Sequence, residues 1–531
     1  MISRRHFSQL MLSASALPFI APIAVRAQQD EPRRGGTLVY ALNQAPPSLI
    51  SLVSPGVERG ISAKVVEGLL DYDHDLNPRP QLATEWDISE DGLTYRFKLR
   101  EGVTFHDGTP FTSRDVEASI RIVSQNHSRG RASFANLESI ETPSDHEVVL
   151  RLSKPAPYLL RALPADEVPI VPAHLFGEGD PTGNPALTAP VGTGPFRFIE
   201  YVRGSHVLLE RNEDYWQAGK PYLDSVIIRF ITDGAARTAA FETGEVHIGG
   251  GASVPLSDLG RLIDENPHLA LETRGQVYDA GVNRIEFNLE NEILANRNVR
   301  LAIAHLIDKD YIRDTIYYGY GAVIDGPFAP EVPYYTPGLP HYEVDVDLAN
   351  RLLDEAGYPR DANGVRFQIR IDPRPLADTD RPTAEYLRAR LAEVGIEATL
   401  RTQDFAAYVN RVFTERDFDI IVNGITNSFD PTIGTQRIYW SENLRRGVPF
   451  SNATAYNNPE VDRLLLAAAV EIDPKTRFQQ FADFQRQVVN DLPDIHTVSQ
   501  FRYTLYNTRV QNHTVGATGI NGNFADIWLA D

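Results

Sequence analysis

The chain of 531 residues contains no cysteine, and both of its methionines, Met1 and Met11, lie close to the N-terminus. The lack of thiols excludes disulfides, thiol catalysis and cysteine-ligated metals. It fits either a reducing or an oxidising compartment and does not decide between them. A basic surface is also lacking, because the net charge is −20, and this argues against a nucleic-acid partner. The global charge says little about a small ligand, since a local pocket can oppose it.

Catalytic motifs are missing as well. The thirteen histidines form no HExxH motif, and no G-x-S-x-G nucleophile elbow occurs. DYDHDLNP (71–78) resembles a calcium loop, but Leu76 and Leu82 stand where an EF-hand needs Gly and Glu, so we interpret it as a solvated turn. PVGTGPF (190–196) lacks the Lys-Ser/Thr of a phosphate loop and is interpreted as a tight backbone crossing. We therefore expect no catalytic residue, no metal and no cofactor, which favours a binding protein.

The N-terminal residues have the features of an export signal. Arg4 and Arg5 precede Phe7, and the apolar run that follows is short and interrupted by prolines. This pattern resembles a twin-arginine signal, and small residues at the −3 and −1 positions fit cleavage before Gln28. Removal of residues 1–27 would change the net charge from −20 to −23. The signal predicts a periplasmic protein, and the alternative interpretation of residues 1–27 is a disordered basic leader. We expect the mature protein to be soluble, because no later stretch is apolar enough to span a bilayer.

Strand and helix patterns alternate along the rest of the chain. GTLVYAL (36–42) predicts a buried strand, and GPFRFIEYVRGSHVLLERN predicts two strands around a turn at 203–205. Apolar residues at helical spacing predict a helix in RNVRLAIAHLIDKDYIRDTIY (297–317). PTAEYLRARLAEVGIEATL (382–400) predicts a helix that ends at Gly395 and leads into a strand. The alternation predicts an α/β protein with mixed sheets, and the length predicts two or three lobes.

Several conspicuous motifs together resemble a known family. They are LATEW, DGLTYRFKLR, FHDGTP, GTGPF and RNEDYWQAGKP in the first half, followed by VRLAIAHLIDKDYI, LANRLLDEAGY and YNNPEVDRLLLAAA. In this order they resemble the bacterial extracellular solute-binding proteins of family 5. These are the peptide/nickel-binding (cluster C) periplasmic receptors of ABC importers, and the likeness is strongest to dipeptide- and oligopeptide-binding members. The motifs consist mostly of scaffold residues, so they specify the fold better than the ligand.

The resemblance implies an α/β, two-lobed periplasmic binding protein fold of type II (cluster C), with an extra domain inserted in the first lobe. The expected segments are 35–72, 189–277 and 499–531 for the first lobe, 73–188 for the extra domain and 278–498 for the second lobe. Ligand is expected between the lobes, which close by a hinge. The resemblance further implies a monomeric receptor, not an enzyme, that delivers its ligand to ABC permease subunits at the inner membrane.

The second lobe offers a candidate for the ligand's positive end. In peptide-binding relatives, an aspartate before a proline pairs with the α-ammonium group of the peptide, and Asp430 in NSFDPT resembles that residue. The alternative is that Asp430 only forms or caps a turn. Asn427 and Phe429 are predicted to contact ligand beside it. Tyr439 and Trp440 either form an apolar wall of the site or belong to the core.

The ligand's negative end needs a cation. Arg374 in DPRPLAD resembles the arginine of dipeptide-binding relatives that faces a carboxylate, and the alternative is an exposed loop arginine. Asn43 and Gln44 follow the first strand, where the family's first lobe touches ligand. The expected ligand is a di- or oligopeptide. The alternatives are another polar solute, namely an opine, an oligosaccharide or a metal chelate, and, from another class of protein, a secreted hydrolase.

Overall fold

A computed structural model describes residues 31–531 with the exception of residues 178, 252 and 276; the predicted export signal, residues 1–27, lies outside this range. Three large sheets organise the described part of the chain. Helices cover these sheets, so the predicted mixed α/β class is confirmed.

The first sheet has seven strands drawn from distant parts of the chain. Their order across the sheet is Leu269–Glu272, Thr504–Asn507, Ile248–Gly249, Thr37–Leu42, Ser225–Phe230, His206–Arg211 and Phe196–Val202. The predicted hairpin around residues 203–205 forms its edge and is confirmed. The predicted strand at 36–42 lies inside the sheet, where it pairs in parallel with Ser225–Phe230.

The second sheet has five strands. Their order is Ile396–Leu400, Phe367–Pro373, Ile420–Thr426, Gly281–Phe287 and Asp494–His496. Phe367–Pro373 runs parallel to both of its neighbours, whereas Gly281–Phe287 runs antiparallel to both of its own. The carboxyl ends of Phe367–Pro373 and Ile420–Thr426 therefore meet at one edge of the sheet.

The third sheet has four antiparallel strands and belongs to the segment predicted as the extra domain. Its order is Ala83–Ile88, Thr94–Leu99, Glu147–Leu152 and Leu137–Ser144. Three two-stranded sheets complete the β-structure: Leu70–Tyr72 with Pro78–Pro80, Gly321–Val323 with Val498–Gln500, and Val510–Gln511 with Trp528–Leu529. Each predicted domain thus contains one large sheet, while the boundaries between the domains stay predictions.

The α-helices are mostly short. They are Arg59–Val65, Ser113–Asn126, Ser128–Ser133, Gly234–Glu242, Leu256–Glu265, Glu292–Ala295, Arg297–Ala304, Lys309–Tyr311, Val346–Glu355, Asp380–Glu393, Phe405–Val409, Pro431–Gly434, Gln436–Tyr439, Pro459–Val470 and Pro474–Asp491. Single 3₁₀ turns are Leu159–Ala162, Ala173–Leu175, Pro181–Gly183, Pro185–Leu187, Val277–Asp279, Ser441–Asn443 and Gly519–Asn521, and π-type turns are Ile312–Ile316 and Asn410–Glu415.

Two helix predictions have different outcomes. The helix that ends before Gly395 is confirmed: Gly395 has φ +83°, a value that glycine adopts without strain. The single helix predicted over 297–317 is wrong, because it divides after Ala304. The side chain of Asp308 accepts a hydrogen bond from the backbone N–H of Tyr311 and begins a new helix there.

Close packing explains the glycines of PVGTGPF. A Cβ at Gly192 would lie 2.0 Å from the carbonyl oxygen of Val65, and a Cβ at Gly194 would lie 2.7 Å from the same oxygen. A side chain at either position would overlap that backbone. The predicted tight crossing is therefore confirmed.

A buried carboxylate ties this crossing to its neighbours. Glu67 is fully buried and accepts hydrogen bonds from Thr193 Oγ1 at 2.9 Å, Tyr215 OH at 2.8 Å and Trp216 Nε1 at 2.8 Å. Burial raises the pKa of Glu67 to about 7, although these hydrogen bonds and the charge of Arg100 act to lower it. Glu67 therefore titrates near neutral pH.

The DYDHDLNP segment is a turn between two short strands. Asp73 Oδ1 accepts hydrogen bonds from the backbone N–H groups of Asp75 and Asn77, both at 2.9 Å, which confirms a solvated turn. Within the described residues, no group of three or more histidine and acidic side chains could hold a metal ion. No helix in the same range is both long and apolar enough to cross a membrane.

Candidate functional site

A cavity of about 460 Å³ lies between the first and second sheets. Its walls come from both: Asn43 follows the strand Thr37–Leu42, and Arg374 follows Phe367–Pro373. The lining residues are Asn43, Arg237, Gly251, Val254, Leu256, Gly281, Val282, Asn283, Arg374, Leu376, Ala377, Asp378, Thr379, Gly424, Ile425, Thr426, Arg437, Phe450, Gln500, Phe501 and Arg502. The carboxyl edge of strands is where open α/β sheets bind ligands, and the volume suits a small molecule.

Two chain segments connect the first sheet to the second, and residues at their ends, Gly281, Phe501 and Arg502, line this cavity. Residues 273–280 lead from the first sheet into Gly281–Phe287, and residues 501–503 lead back to Thr504–Asn507. The second of these segments begins directly after the strand Val498–Gln500, which pairs with Gly321–Val323. A pair of crossings is the arrangement in which two lobes close by a hinge.

Arg374 is positioned by groups of the second lobe. Its Nε donates to Asp380 Oδ2 at 3.0 Å, and its Nη1 donates to the carbonyl oxygen of Gly424 at 2.8 Å. Burial raises the pKa of Asp380 to about 6, and the Arg374 charge partly offsets this rise. The second terminal nitrogen, Nη2, has no hydrogen-bond partner among the described residues. Arg374 therefore lines the cavity with donors to spare, as a carboxylate-binding group requires.

Gly424 provides the space for this arrangement. A Cβ at Gly424 would lie 2.6 Å from Asn283 Oδ1 and 3.1 Å from Arg374 Nη2. The side chains of Asn283 and Arg374 can therefore lie this close to the strand Ile420–Thr426 only because residue 424 has no side chain.

One of the two first-lobe residues predicted to contact ligand lines the cavity. Asn43 is exposed and lines it, whereas Gln44 is exposed and does not.

Asp430 holds a cation of the chain itself. Its carboxylate is fully buried and pairs with Arg477 at two points, both at 2.8 Å. It also accepts a hydrogen bond from the backbone N–H of Thr432 at 3.0 Å and so caps the helix Pro431–Gly434. Burial acts to raise the pKa of Asp430, but the attraction of Arg477 outweighs it and lowers the pKa.

This placement corrects the prediction that Asp430 binds a ligand ammonium group. Asp430 does not line the cavity, and both of its oxygens already face the Arg477 guanidinium. An incoming ammonium would have to displace a buried ion pair, which is costly. The structure therefore supports the alternative, a turn and cap residue.

The neighbours of Asp430 are also structural. Asn427 is fully buried; its Nδ2 donates to the carbonyl oxygen of Pro327 at 2.8 Å, and its Oδ1 accepts from the backbone N–H of Ala329 at 2.9 Å. Phe429 is buried in the core of the extra domain, with its ring centroid 5.2 Å from that of Tyr278. Neither side chain lines the cavity, so their predicted ligand contacts are corrected as well.

Tyr439 and Trp440 belong to the core of the second lobe, which was the alternative for both. Tyr439 is fully buried, and its hydroxyl donates to Asp494 Oδ2 at 2.7 Å and is hydrogen-bonded with His496 Nε2 at 2.9 Å. Trp440 is half-buried against the same core. They form no wall of the cavity.

Three arginines of the lining, Arg237, Arg437 and Arg502, were missed. Arg437 lies in the short helix Gln436–Tyr439, between the predicted residues Asp430 and Tyr439. Arg502 lies in the return crossing between the sheets. One usable signal was Gly424, a glycine inside the strand Ile420–Thr426, which marks a close approach of other groups to the strand.

A second cavity of about 640 Å³ adjoins the first at Leu256, Asp378 and Thr379. Three of its lining residues are tyrosines, and the rings of two of them, Tyr311 and Tyr386, stack with centroids 5.1 Å apart. The arginine-lined cavity is therefore continuous with a second cavity that has a different lining.

A cavity between two lobes that are joined by two chain crossings, with four arginines in its wall, is the arrangement expected of a two-lobed solute-binding protein. Residues 77–451 match the family described as bacterial extracellular solute-binding proteins, family 5 middle. The chain belongs to that family. It is a substrate-binding component of an ABC importer, has the type II two-lobed fold, and is not an enzyme.

Individual proteins are similar over nearly the whole chain. A putative ABC transporter peptide-binding protein of Brucella ovis is 29% identical over 527 residues, covering 96% of this chain and 95% of that protein. The oligopeptide-binding protein AppA of Bacillus subtilis, solved with a nonapeptide, is 25% identical with a TM-score of 0.79, covering 94% and 100%. The binding protein AgaA of A. tumefaciens R10, solved with agropinic acid, is 27% identical with a TM-score of 0.76, covering 93% and 99%.

Proposed function

We propose that this receptor captures di- or oligopeptides in the arginine-lined cavity. The carrying observation is Arg374, which is held by Asp380 and the Gly424 carbonyl while its Nη2 is left to a ligand. A carboxylate is the natural partner of such a fork, and every peptide has one at its C-terminus. The names of the Brucella and Bacillus relatives support a peptide ligand.

The alternative ligand is another polar solute bound in the same way. The likeness to AgaA, solved with agropinic acid, favours an opine among these alternatives. An uncharged oligosaccharide offers the Arg374 guanidinium no anionic partner, whereas a metal chelate that carries carboxylates does.

The receptor acts in the periplasm as a monomer and delivers its ligand to ABC permease subunits of the inner membrane. Support comes from the family and from the leader with Arg4 and Arg5. Replacing both arginines with lysine is expected to leave the precursor in the cytoplasm. Normal appearance of that variant in the periplasm would contradict export by the twin-arginine route.

The experiment compares Ala-Ala with its C-terminal amide by calorimetry. Wild-type protein is expected to prefer the free carboxylate, and Arg374→Gln to lose that preference. Removing one partner of a buried charged pair costs about 2–5 kcal/mol, or about 30-fold to several-thousand-fold in affinity. Arg388→Gln is the matched control, because Arg388 is an exposed arginine of the helix Asp380–Glu393.

The melting temperature without ligand is measured for each variant, because Arg374→Gln leaves Asp380 unpaired. Arg374→Lys, which keeps the charge but loses the two-point geometry, provides a second test if the first variant is unstable. Equal affinity of the wild-type protein for the peptide and its amide would contradict the proposal that Arg374 binds the C-terminal carboxylate. If no peptide binds but a non-peptide solute does, the protein is still a receptor, and the proposal of a peptide ligand is wrong.

A further inference from the structure

The charge of the cavity is opposite to that of the protein. The chain carries a net charge of −20, yet the lining contains four arginines and one acid, Asp378. Two of the arginines have structural partners: Arg374 pairs with Asp380, and Arg237 donates to backbone carbonyl groups. The remaining two, Arg437 and Arg502, have no carboxylate partner among the described residues.

Arg437 has almost no partner of its own. Its Nε donates to the carbonyl oxygen of Gly434 at 3.2 Å, whereas Nη1 and Nη2 have no hydrogen bond within the described part of the chain. No carboxylate of that part forms an ion pair with it. The side chain is half-buried, so these two nitrogens face the cavity as donors that the chain leaves free for a ligand acceptor.

Arg502 shows the same deficiency from the other wall. Its Nε is buried and has no hydrogen-bond partner among the described residues. Gly281 leaves room for it, because a Cβ there would lie 3.1 Å from Arg502 Nη2. The charge of Arg502 helps to lower the pKa of Asp279, but Asp279 forms its ion pair with Arg59.

The surroundings of Arg437 make its charge costly in the absence of ligand. Burial comes first, and the guanidinium groups of Arg129 and Arg284 add to it, so that the pKa of Arg437 falls to about 10. The side chain is still a cation at neutral pH. A group that destabilises the ligand-free protein and serves no ion pair is typical of a binding site.

We propose that the cavity selects solutes with at least two carboxylates, and that Arg437 and Arg502 bind the additional carboxylate that Arg374 does not. This inference rests on the proposed function and deepens it. Arg374 binds the main-chain carboxylate, so the guanidinium groups of Arg437 and Arg502 bind the carboxylate of an acidic side chain. The class of ligand is a short acidic peptide; an opine-like amino-acid conjugate shares the same chemistry.

The test measures calorimetric affinity for four probes: Ala-Glu, Ala-Gln, Ala-Lys and N-(1-carboxyethyl)glutamate. Wild type is expected to bind Ala-Glu about tenfold or more tightly than Ala-Gln, since one charge-assisted hydrogen bond accounts for such a factor. Ala-Lys is expected to bind most weakly, because its side chain has the same charge as the arginines. Arg437→Gln is expected to abolish the preference for Ala-Glu over Ala-Gln, and Arg437→Lys to retain part of it. Arg502→Gln is expected to weaken Ala-Glu more than Ala-Gln.

A stability measurement separates binding from a structural role. Arg437→Gln removes a half-buried charge that has no carboxylate partner among the described residues, so the melting temperature of the ligand-free protein is expected to stay the same or rise. A structural arginine would give a fall. Arg388→Gln is again the matched control and is expected to change neither quantity.

Each remaining outcome has one meaning. Equal affinity for Ala-Glu and Ala-Gln in wild type, or an unchanged preference in Arg437→Gln, overturns the inference and leaves a peptide receptor. Tight binding of N-(1-carboxyethyl)glutamate without any dipeptide supports the two-carboxylate inference and overturns the peptide ligand. If none of the four probes binds, both proposals fall.

Discussion

The buried ion pair between Asp430 and Arg477 gives the sharpest prediction. Asp430→Asn preserves size but removes the charge that faces Arg477 at two points, both at 2.8 Å. Both side chains are nearly inaccessible, so Arg477 is left as an uncompensated buried cation. Breaking such a pair costs about 3–5 kcal/mol, whereas the lost cap interaction with Thr432 alone would cost about 0.5–2 kcal/mol.

The assay is urea unfolding of the ligand-free protein followed by tryptophan fluorescence. We expect Asp430→Asn to lower the free energy of unfolding by about 3–5 kcal/mol and to leave the ratio of affinities for a peptide and its N-acetylated form unchanged. Asp483→Asn, an exposed aspartate of the same helix as Arg477, is the matched control and should unfold like wild type.

The pH dependence adds a second readout. The pKa of Asp430 in the folded protein is lower than its ordinary value of 3.8, so its contribution is fully present above pH 3.8. It is lost as the pH falls through the folded-state pKa, and Asp430→Asn should lack this acid-sensitive part. The reasoning is refuted if Asp430→Asn unfolds like wild type and instead loses its discrimination between the free and the acetylated amine.

Two further predictions concern Glu67 and Gly424. Because the pKa of Glu67 is raised from 4.5 to about 7, the folded state binds the extra proton, and the free energy of unfolding should rise by about 3 kcal/mol as the pH falls from above 7 to 4.5. Urea unfolding across this range should show that rise in wild type but not in Glu67→Gln, and equal slopes would contradict it. Gly424→Ala should displace the Asn283 amide and weaken peptide binding about tenfold in calorimetry, since the new Cβ would lie 2.6 Å from Asn283 Oδ1. Gly183→Ala, at an exposed glycine with open space, should bind like wild type, and an equal loss in both would refute the steric argument.

Much of the fold was predictable because its signals are local. The hairpin around residues 203–205 and the helix ending at Gly395 depend on neighbours in sequence, and both form as predicted. The helix over 297–317 was overestimated, because the capping strength of Asp308 outweighs the continuing apolar pattern. Family motifs supplied the long-range arrangement, which periodicity alone does not give.

The site was harder to predict because its roles depend on distant partners. Asp430 and Arg477 are 47 residues apart, and nothing in the sequence pairs them. Arg374 lies in the cavity as the resemblance implied, whereas Arg437 and Arg502 resemble ordinary surface arginines until the missing partners are visible.

The central claim is that this chain is a receptor which holds one short peptide at Arg374. The most direct measurement is native mass spectrometry of the protein purified from its host, with the bound solute released and sequenced. The account predicts one stoichiometric peptide per chain that is missing from Arg374→Gln. A stoichiometric solute without a peptide bond, or a peptide retained equally by Arg374→Gln, would contradict it.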